Sequence, residues 1–482
     1  MISNSPRLIA FYLPQYYPIP ENDLWWGKGF TDWINVTRAR PAFAEHYQPH
    51  LPADLGFYDL RLAEVREGQA KLAAEYGIYG FCYHHYWFQG RRFLERPFNE
   101  VLASGKPDFP FCLCWANENW TRNWDGQERT VLIEQGHSDK DDVEFIQSLL
   151  PVFRDPRYIR VDGKPLLIVY YTKLFRNPAN TTATWRTQVR AAGFSDLYLI
   201  RAETHTAYGN HPNAAALGFD AAVEFPPHAV LAGSLRPADP QWVSDSESTI
   251  FDYREVVLHS IKRPTPDYKL FRGVMPSWDN TSRRKKGAYI FAHSCPELYE
   301  QWLAECIRWT RRHHTREEQM VFINAWNEWG EGCHLEPDHR YGHRFLEATR
   351  NAHRHSENLP LPYAGLASAG DDHVTSKQAS DEVGSQTSQL LLENLYLKLR
   401  LRDQYLQTHG STVPLESALV PKLPKLDSFL AHYLLADNPR FRRTRKVVYQ
   451  LLKPIWRTWL AVRSPTLPQT LRIRRHLYDP PQ

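Results

Sequence analysis

The feature that most constrains this chain is an eightfold alternation. Short apolar runs, each followed by a helical pattern, recur from the start of the sequence to about residue 353. The runs predict strands at 7–13, 78–84, 109–115, 165–171, 197–202, 221–225, 270–276 and 320–326. Helical patterns follow at 60–76, 92–103, 141–153 and 183–192, then near Ala214, and at 249–261, 297–311 and 344–353. Short runs that are continuously apolar belong to strands covered on both faces, as in a parallel sheet wrapped by helices. Eight such units over this length predict an α/β fold, a (β/α)8 TIM barrel with long loops. An open doubly wound sheet fits less well, because no glycine-rich phosphate loop follows any strand.

The expected organisation is a catalytic barrel over 1–362, a linker over 363–387 and a helical region over 388–482 ending in a basic amphipathic tail. Residues 365–388 are rich in Ser, Ala, Gly, Asp and Gln, a linker composition. Leu392, Leu395, Leu399 and Leu406 mark an apolar seam on a helix that Gly410 ends. From Arg440 to Leu477 basic residues interleave with Val447, Leu451, Trp456 and Trp459, with no acid among them. That pattern suits a segment lying on an anionic membrane surface, or a solvated basic face. No recognised nucleic-acid module accompanies the charge, so no nucleic-acid partner is expected. The amino-terminal apolar run is short and meets Pro14, which reads as a strand and not as a signal peptide. The six cysteines show no zinc spacing and are expected as free thiols of a reducing compartment, so the expected location is the cytoplasm; the membrane reading of the basic tail would put the chain at the cytoplasmic face of the inner membrane.

Barrel chemistry collects at the carboxyl ends of the strands. The polar and aromatic residues gather there. Gln15, Tyr16, Trp25 and Trp26 follow the first predicted strand, and His84, His85 and Trp87 the second. Trp115, Asn117, Glu118, Asn119 and Trp120 follow the third, and Tyr170 the fourth. Glu203, Glu224, Trp278 and Asp279 follow the fifth to seventh, and Trp326, Asn327 and Trp329 the eighth. The chain holds 16 Trp, 25 Tyr and 23 Phe, and flat aromatic faces beside carboxylates and amides are what a sugar pocket requires. These residues are the expected substrate contacts, for an oligo- or polysaccharide.

The sharpest element is Asn327-Glu328-Trp329-Gly330-Glu331-Gly332. Glycosidic bonds are commonly broken by two carboxyl groups flanking the bond. Glu328 and Glu331, three apart, face opposite ways in a strand but approach one another in a turn, which Gly330 and Gly332 permit. They are the expected catalytic pair, and their closeness favours a retaining mechanism. His334, His339 and His343 with Glu336 read as loop and surface residues, so neither a metal nor a cofactor is expected.

Four stretches together resemble one family: FYLPQYYPIPENDLWWGKGFTDW at 11–33, FCYHHYWFQGRR at 81–92, PDFPFCLCWANENWTRNWDG at 107–126 and NEWGEGCHLEP at 327–337. They are similar to the WbsX proteins of O-antigen and other surface-polysaccharide gene clusters, usually called glycosyltransferases. These in turn resemble the endo-mannosidases of glycoside hydrolase family 99, mainly through the N-E-W-x-E-G motif. The resemblance spans roughly residues 7–341. It implies that Glu328 acts at the sugar 2-hydroxyl and that Glu331 is the acid/base. Gly330 departs from the bulkier residue usual in family 99. The resemblance leaves three readings: a retaining glycoside-cleaving or transglycosylating enzyme, a nucleotide-sugar transferase, or a non-catalytic glycan-binding barrel. A transferase wants a diphosphate site, and no D-x-D motif follows a predicted strand, although Lys28, Arg122 and Arg201 offer positive charge.

Overall fold

Eight strands form the centre of the protein: β1 Arg7–Tyr12, β2 Gly80–Phe88, β3 Phe111–Trp115, β4 Lys164–Val169, β5 Tyr198–Glu203, β6 Ala221–Glu224, β7 Leu270–Val274 and β8 Met320–Ile323. A computed structural model gives this arrangement and describes residues 5–43, 46–122, 127–204, 212–228, 248–284 and 286–356. The expected linker, the leucine-seamed helix and the basic tail lie outside the described residues, as do Trp124, Asp125 and His205.

Every neighbouring pair of barrel strands runs parallel, from β1–β2 round to β7–β8. Pairing of β8 with β1, Met320 opposite Arg7, closes the ring. Closure leaves no sheet edge unpaired. The predicted (β/α)8 barrel is the observed fold. Helices Pro20–Trp26 (α1) and Trp33–Arg38 (α2) follow β1, ahead of the covering helices. Those are Ala63–Glu75 (α3), Arg96–Ser104 (α4), Asp139–Phe153 (α5), Pro178–Ala191 (α6), Tyr253–Ile261 (α7), Pro296–His313 (α8) and Arg344–His355 (α9). Among the described residues no helix is long and apolar enough to cross a membrane. All six cysteines are buried and free.

Inside the ring, Phe11, Phe225 and Phe322 pack ring against ring. Outside it, Trp115 stacks on Phe145 of α5, with centroids 4.1 Å apart, and meets Trp185 of α6. Burial of such rings on both faces is the main source of cohesion between sheet and helices. The strand β2 runs four residues past its predicted end, to Phe88. Side chains alternate along it, so His84 and Tyr86 share the side of Phe11 and Phe225. His85 and Trp87 face Phe145 of α5 instead.

Two short helices in the β1 loop, α1 and α2, are absent from the sequence reading. So is a hairpin of Trp120–Arg122 with Gln127–Ile133. Residues 249–252, expected as helix, form a parallel two-stranded ribbon with Tyr289–Ala292. The β-branched and aromatic Thr249-Ile250-Phe251 finds its partner 40 residues away, beyond any local signal.

Candidate active site

The Asn327–Gly332 motif does not continue β8. After Ile323 the chain enters a two-residue pairing, Asn327–Glu328 against Cys333–His334. Between them Trp329–Glu331 make one 3-10 turn, and Gly332 closes it at φ +56°, a conformation glycine adopts freely. Both groups of the Asn327 amide hold the Leu13 backbone: Leu13 N donates to Oδ1 at 2.7 Å and Nδ2 donates to Leu13 O at 3.0 Å. The turn is thereby tied to the end of β1. It presents Glu328 and Glu331 to a common partner.

That partner is Arg283, from the loop after β7. Its Nη2 lies 2.9 Å from Glu328 Oε2 and 2.6 Å from Asp32 Oδ2, and its Nη1 lies 3.2 Å from Glu331 Oε1. One guanidinium bridges three carboxyl groups, a task its planar fork suits. Asp32, at the start of α2, is fully buried. Sequence reading missed both residues. A lone Arg and a lone Asp about 250 positions apart carry no spacing signature, although Asp32 does fall inside the motif at 11–33.

Gly330 explains itself here. A Cβ at this position would fall inside van der Waals contact of Arg283 Nε and Asp32 Oδ2. Gly330→Ala should therefore displace the Arg283–Asp32 pair while the barrel stays folded. The expected result is a loss of turnover on the order of tenfold or more, with an unchanged far-ultraviolet circular dichroism spectrum.

The two glutamates are not equivalent. Burial pushes Glu331 up to about 8, and the Glu328 charge adds to it while Arg283 opposes it. Glu328 is also raised by burial, against the direct hydrogen bond from Arg283. Glu331 keeps a quarter of its side chain exposed, whereas Glu328 keeps 9%. Burial and the Glu328 charge favour a proton on the more accessible Glu331, while Arg283 opposes the rise at Glu328.

A third carboxyl, Glu336, lies behind the turn. It accepts from Tyr58 Oη, Gln69 Nε2 and Trp329 Nε1, each at 2.7 Å, and burial still lifts it to about 7. Stability should follow. A carboxyl raised in the folded state keeps its proton where the unfolded chain has lost its own, so these groups cost most once ionised. Stability contributed by Glu331 is complete below the usual 4.5 and lost as pH rises toward about 8. Chemical denaturation of Glu331→Gln should show a gain over the parent chain that grows by about 3 kcal/mol between pH 5 and pH 8.

Around the pair stand several of the expected sugar contacts. Tyr86 and Tyr170 both feel the charges of Glu328 and Glu331, and Tyr170 that of Glu118 as well; burial first and these charges second raise both phenols. Tyr170 Oη lies 2.7 Å from His228 Nε2. Trp120 meets Tyr86 at 5.2 Å and Trp25 at 6.0 Å between ring centroids. His84, Tyr86, Glu118, Trp120, Tyr170, Trp25 and Glu331 are all partly open to solvent. Trp26, also partly open, meets Phe30 at 6.0 Å.

Other expected contacts are placed differently. Glu203 and Glu224 sit on the outer face of the barrel. Arg263 lies 2.8 Å from Glu203 and 2.7 Å from Glu224, and Arg272 lies 2.9 Å from Glu224. Burial opposes the Glu224 charge, but these arginines hold its carboxyl below the usual range. The reason is register. Glu203 and Glu224 pair side by side with the same facing, away from the interior. Arg201, considered for phosphate, is 1% exposed and donates to Pro212 O at 2.7 Å in the same layer. His85 and Trp87 point outward, and Trp87 Nε1 donates to Asp141 of α5 at 2.9 Å. Trp115 is packed under α5 and α6, as described.

Near the motif, Trp326 and Trp329 are closed to solvent, and Trp329 stacks on His334 with centroids 3.7 Å apart. Tyr16 Oη donates to Asn327 O at 2.8 Å. Asn117 exchanges two 2.8 Å hydrogen bonds with the Tyr171 backbone, and Asn119 Oδ1 accepts from Gln135 N at 2.7 Å. Asp279 receives His46 at 2.5 Å, and its own N–H donates to Glu331 O at 2.7 Å. These residues brace the site through backbone and packing contacts. Gln15 and Trp278 are buried.

Comparison with known proteins bears on what this site does. The model of the family described as "Glycosyltransferase WbsX" matches residues 8–349. The chain is 47% identical over 345 residues to the "Uncharacterized protein WxcX" of Xanthomonas campestris pv. campestris strain B100. It is 46% identical over the same length to the protein of that name from strain ATCC 33913. Each match takes in 72% of this chain and 49% of the relative, so the chain spans about half the length of these relatives. Among solved structures, the GH99 endo-alpha-mannosidase of Bacteroides thetaiotaomicron is 13% identical, with a TM-score of 0.47, covering 73% of this chain and 99% of that one. A glycoside hydrolase-like protein is 15% identical, with a TM-score of 0.45, covering 73% and 95%.

Proposed function

The chain belongs to the WbsX glycosyltransferase family, enzymes of the glycosidic bond, and on that premise we propose that it acts on a bacterial surface polysaccharide such as O-antigen by retaining chemistry. It is a carbohydrate-active enzyme, and the proposal concerns its bond-breaking step. The observation that carries it is the Arg283 bridge, which holds two carboxyls of unequal proton affinity at the mouth of a barrel. In this reading Glu331 gives its proton to the leaving oxygen and later takes one from the acceptor. Glu328 acts at the sugar, either through the 2-hydroxyl or by attack on the anomeric carbon. Trp25 and Trp120 offer ring faces to the glycan, and Glu118, Tyr86 and Tyr170 offer polar groups to its hydroxyls.

A nucleotide-sugar-dependent transfer is the second reading, favoured by the family's description. The burial of Arg201 removes one of the cations that would serve a diphosphate. The test is incubation with purified bacterial surface polysaccharides, with and without nucleotide sugars, followed by nuclear magnetic resonance of the products. Cleavage or transglycosylation without nucleotide, with the anomeric configuration kept, is the expected result. Turnover only with a nucleotide sugar would replace this reading by the second, and glycan binding without any turnover would leave a lectin-like barrel.

The basic 440–477 segment is proposed to place the enzyme on the cytoplasmic face of an anionic membrane, close to lipid-linked glycans. Full-length chain should pellet with anionic liposomes, and removal of the residues after Arg440 should reduce pelleting several-fold. Equal pelleting of both forms would refute the placement.

A further inference from the structure

A second cluster of chemistry-bearing side chains lies behind the active-site turn. Two backbone bonds clip the segment around 51–53 to that around 337–339: Ala53 N donates to Pro337 O at 2.9 Å and His339 N to Leu51 O at 3.0 Å. The clip brings His50, His334 and Asp338 together, with one donor atom of each within 4.8 Å of the others. All three side chains are buried, at 6%, 2% and 3% exposure.

The two imidazoles are fixed before any ligand arrives. His334 stacks on Trp329, and its Nδ1 lies 3.0 Å from Glu336 O. A carbonyl oxygen only accepts, so Nδ1 carries the proton and Nε2 presents a lone pair. This is the way a metal-ligating histidine is oriented by its outer partner. His50 is stacked by Tyr47 at 4.2 Å, and its Nδ1 donates to that Nε2 at 2.9 Å; with the His50 proton on Nε2 instead, both nitrogens would face one ion. Asp338 Oδ2 lies 3.9 Å from the same nitrogen.

Among the described residues no lysine or arginine pairs with Asp338, whose only ion-pair contact is His334. Asp338 Oδ1 accepts from Tyr341 N at 2.6 Å, which leaves Oδ2 turned toward the two ring nitrogens, a donor set suited to a divalent ion of the zinc class. Metal–ligand bonds of 2.0–2.2 Å at tetrahedral angles put donor atoms about 3.3 Å apart. The observed 2.9 and 3.9 Å bracket that separation.

We infer that His50, His334 and Asp338, with a water as fourth ligand, form a structural site for one divalent transition ion of the zinc class, clamping the 46–53 loop to the segment that follows the catalytic turn. The inference departs from the expectation, drawn from sequence, that the chain takes no metal. His334 was considered there with His339, His343 and Glu336. The set in space exchanges the last three for His50 and Asp338. The ion touches neither Glu328 nor Glu331. Its effect is on the rigidity of the loop that carries them.

The test uses full-length protein stripped with EDTA and titrated with cobalt(II) chloride, then with zinc chloride as competitor. One equivalent should develop the visible bands of four-coordinate cobalt, zinc should bleach them, and the melting temperature should rise with zinc. Asp338→Asn, nearly isosteric, and His50→Ala, checked for fold by circular dichroism, should each weaken binding by at least about tenfold. Absence of the bands in the parent chain, or equal bands in both variants, would overturn the site.

Discussion

Glu331→Gln should lose turnover on the natural glycan by about 10²–10⁴-fold while keeping most of its rate on a substrate with a good leaving group. The argument rests on where the proton sits. Burial and the Glu328 charge raise Glu331 to about 8, so the free enzyme near neutral pH holds a protonated acid there. An alkoxide leaving from a sugar needs that proton. A nitrophenolate or fluoride does not. Glutamine can hydrogen-bond to the leaving oxygen but cannot protonate it, so the loss should depend on the leaving group. Glu328→Gln should behave differently. In the proposed mechanism its carboxylate, 2.9 Å from the Arg283 guanidinium, acts on the sugar whatever leaves, so turnover should fall on every substrate alike. A 2-deoxy substrate separates its two possible roles, because it has no 2-hydroxyl to deprotonate. Steady-state kinetics on both substrate types decides the matter. Near-parental turnover by both variants on the glycan would place the chemistry elsewhere.

Replacement of Arg283 should cost more than that of either glutamate in stability. Arg283→Ala leaves Asp32, Glu328 and Glu331 buried together with their common cation gone. Breaking a buried pair by removing one partner typically costs about 3–5 kcal/mol. A chain of ordinary stability, about 5–15 kcal/mol, would lose a large part of its margin. Chemical denaturation should register that loss at pH 8, and it should shrink at pH 5, where protonation relieves the carboxyls. Arg283→Lys keeps a charge but not the fork, so it should restore part of the stability and little of the turnover. Its pH–rate profile should shift upward on the basic limb, since a point charge restrains Glu331 less well than a bidentate one. A stability loss independent of pH would show that Arg283 acts through packing alone.

The barrel was legible because its cause is local and repeated. Each strand is a short run of Val, Ile, Leu and aromatics, and each helix an amphipathic period, so the eight runs declare a parallel sheet covered on both faces before any contact is known. The paired glutamates were legible for a similar reason: Glu328, Gly330, Glu331 and Gly332 lie within five residues, and a turn of that composition has few shapes.

The facing of the other candidates was decided elsewhere. His84 and His85 are neighbours in sequence, but β2 continues to Phe88, and its alternation sends one toward the barrel interior and the other toward α5. Glu203 and Glu224, at strand ends, read as substrate contacts. Their register turns both outward to Arg263 and Arg272, which the sequence places on another helix end and another strand.

Composition and periodicity in the sequence determine which segments become strands, which become helices, and where one compact pair of carboxyls must fall. Only the closed barrel decides the proton on that pair. Desolvation and the meeting of Arg283 with Asp32, Glu328 and Glu331 come from loops far apart in the chain, and an electrostatic field depends on distance in space, which sequence separation does not encode.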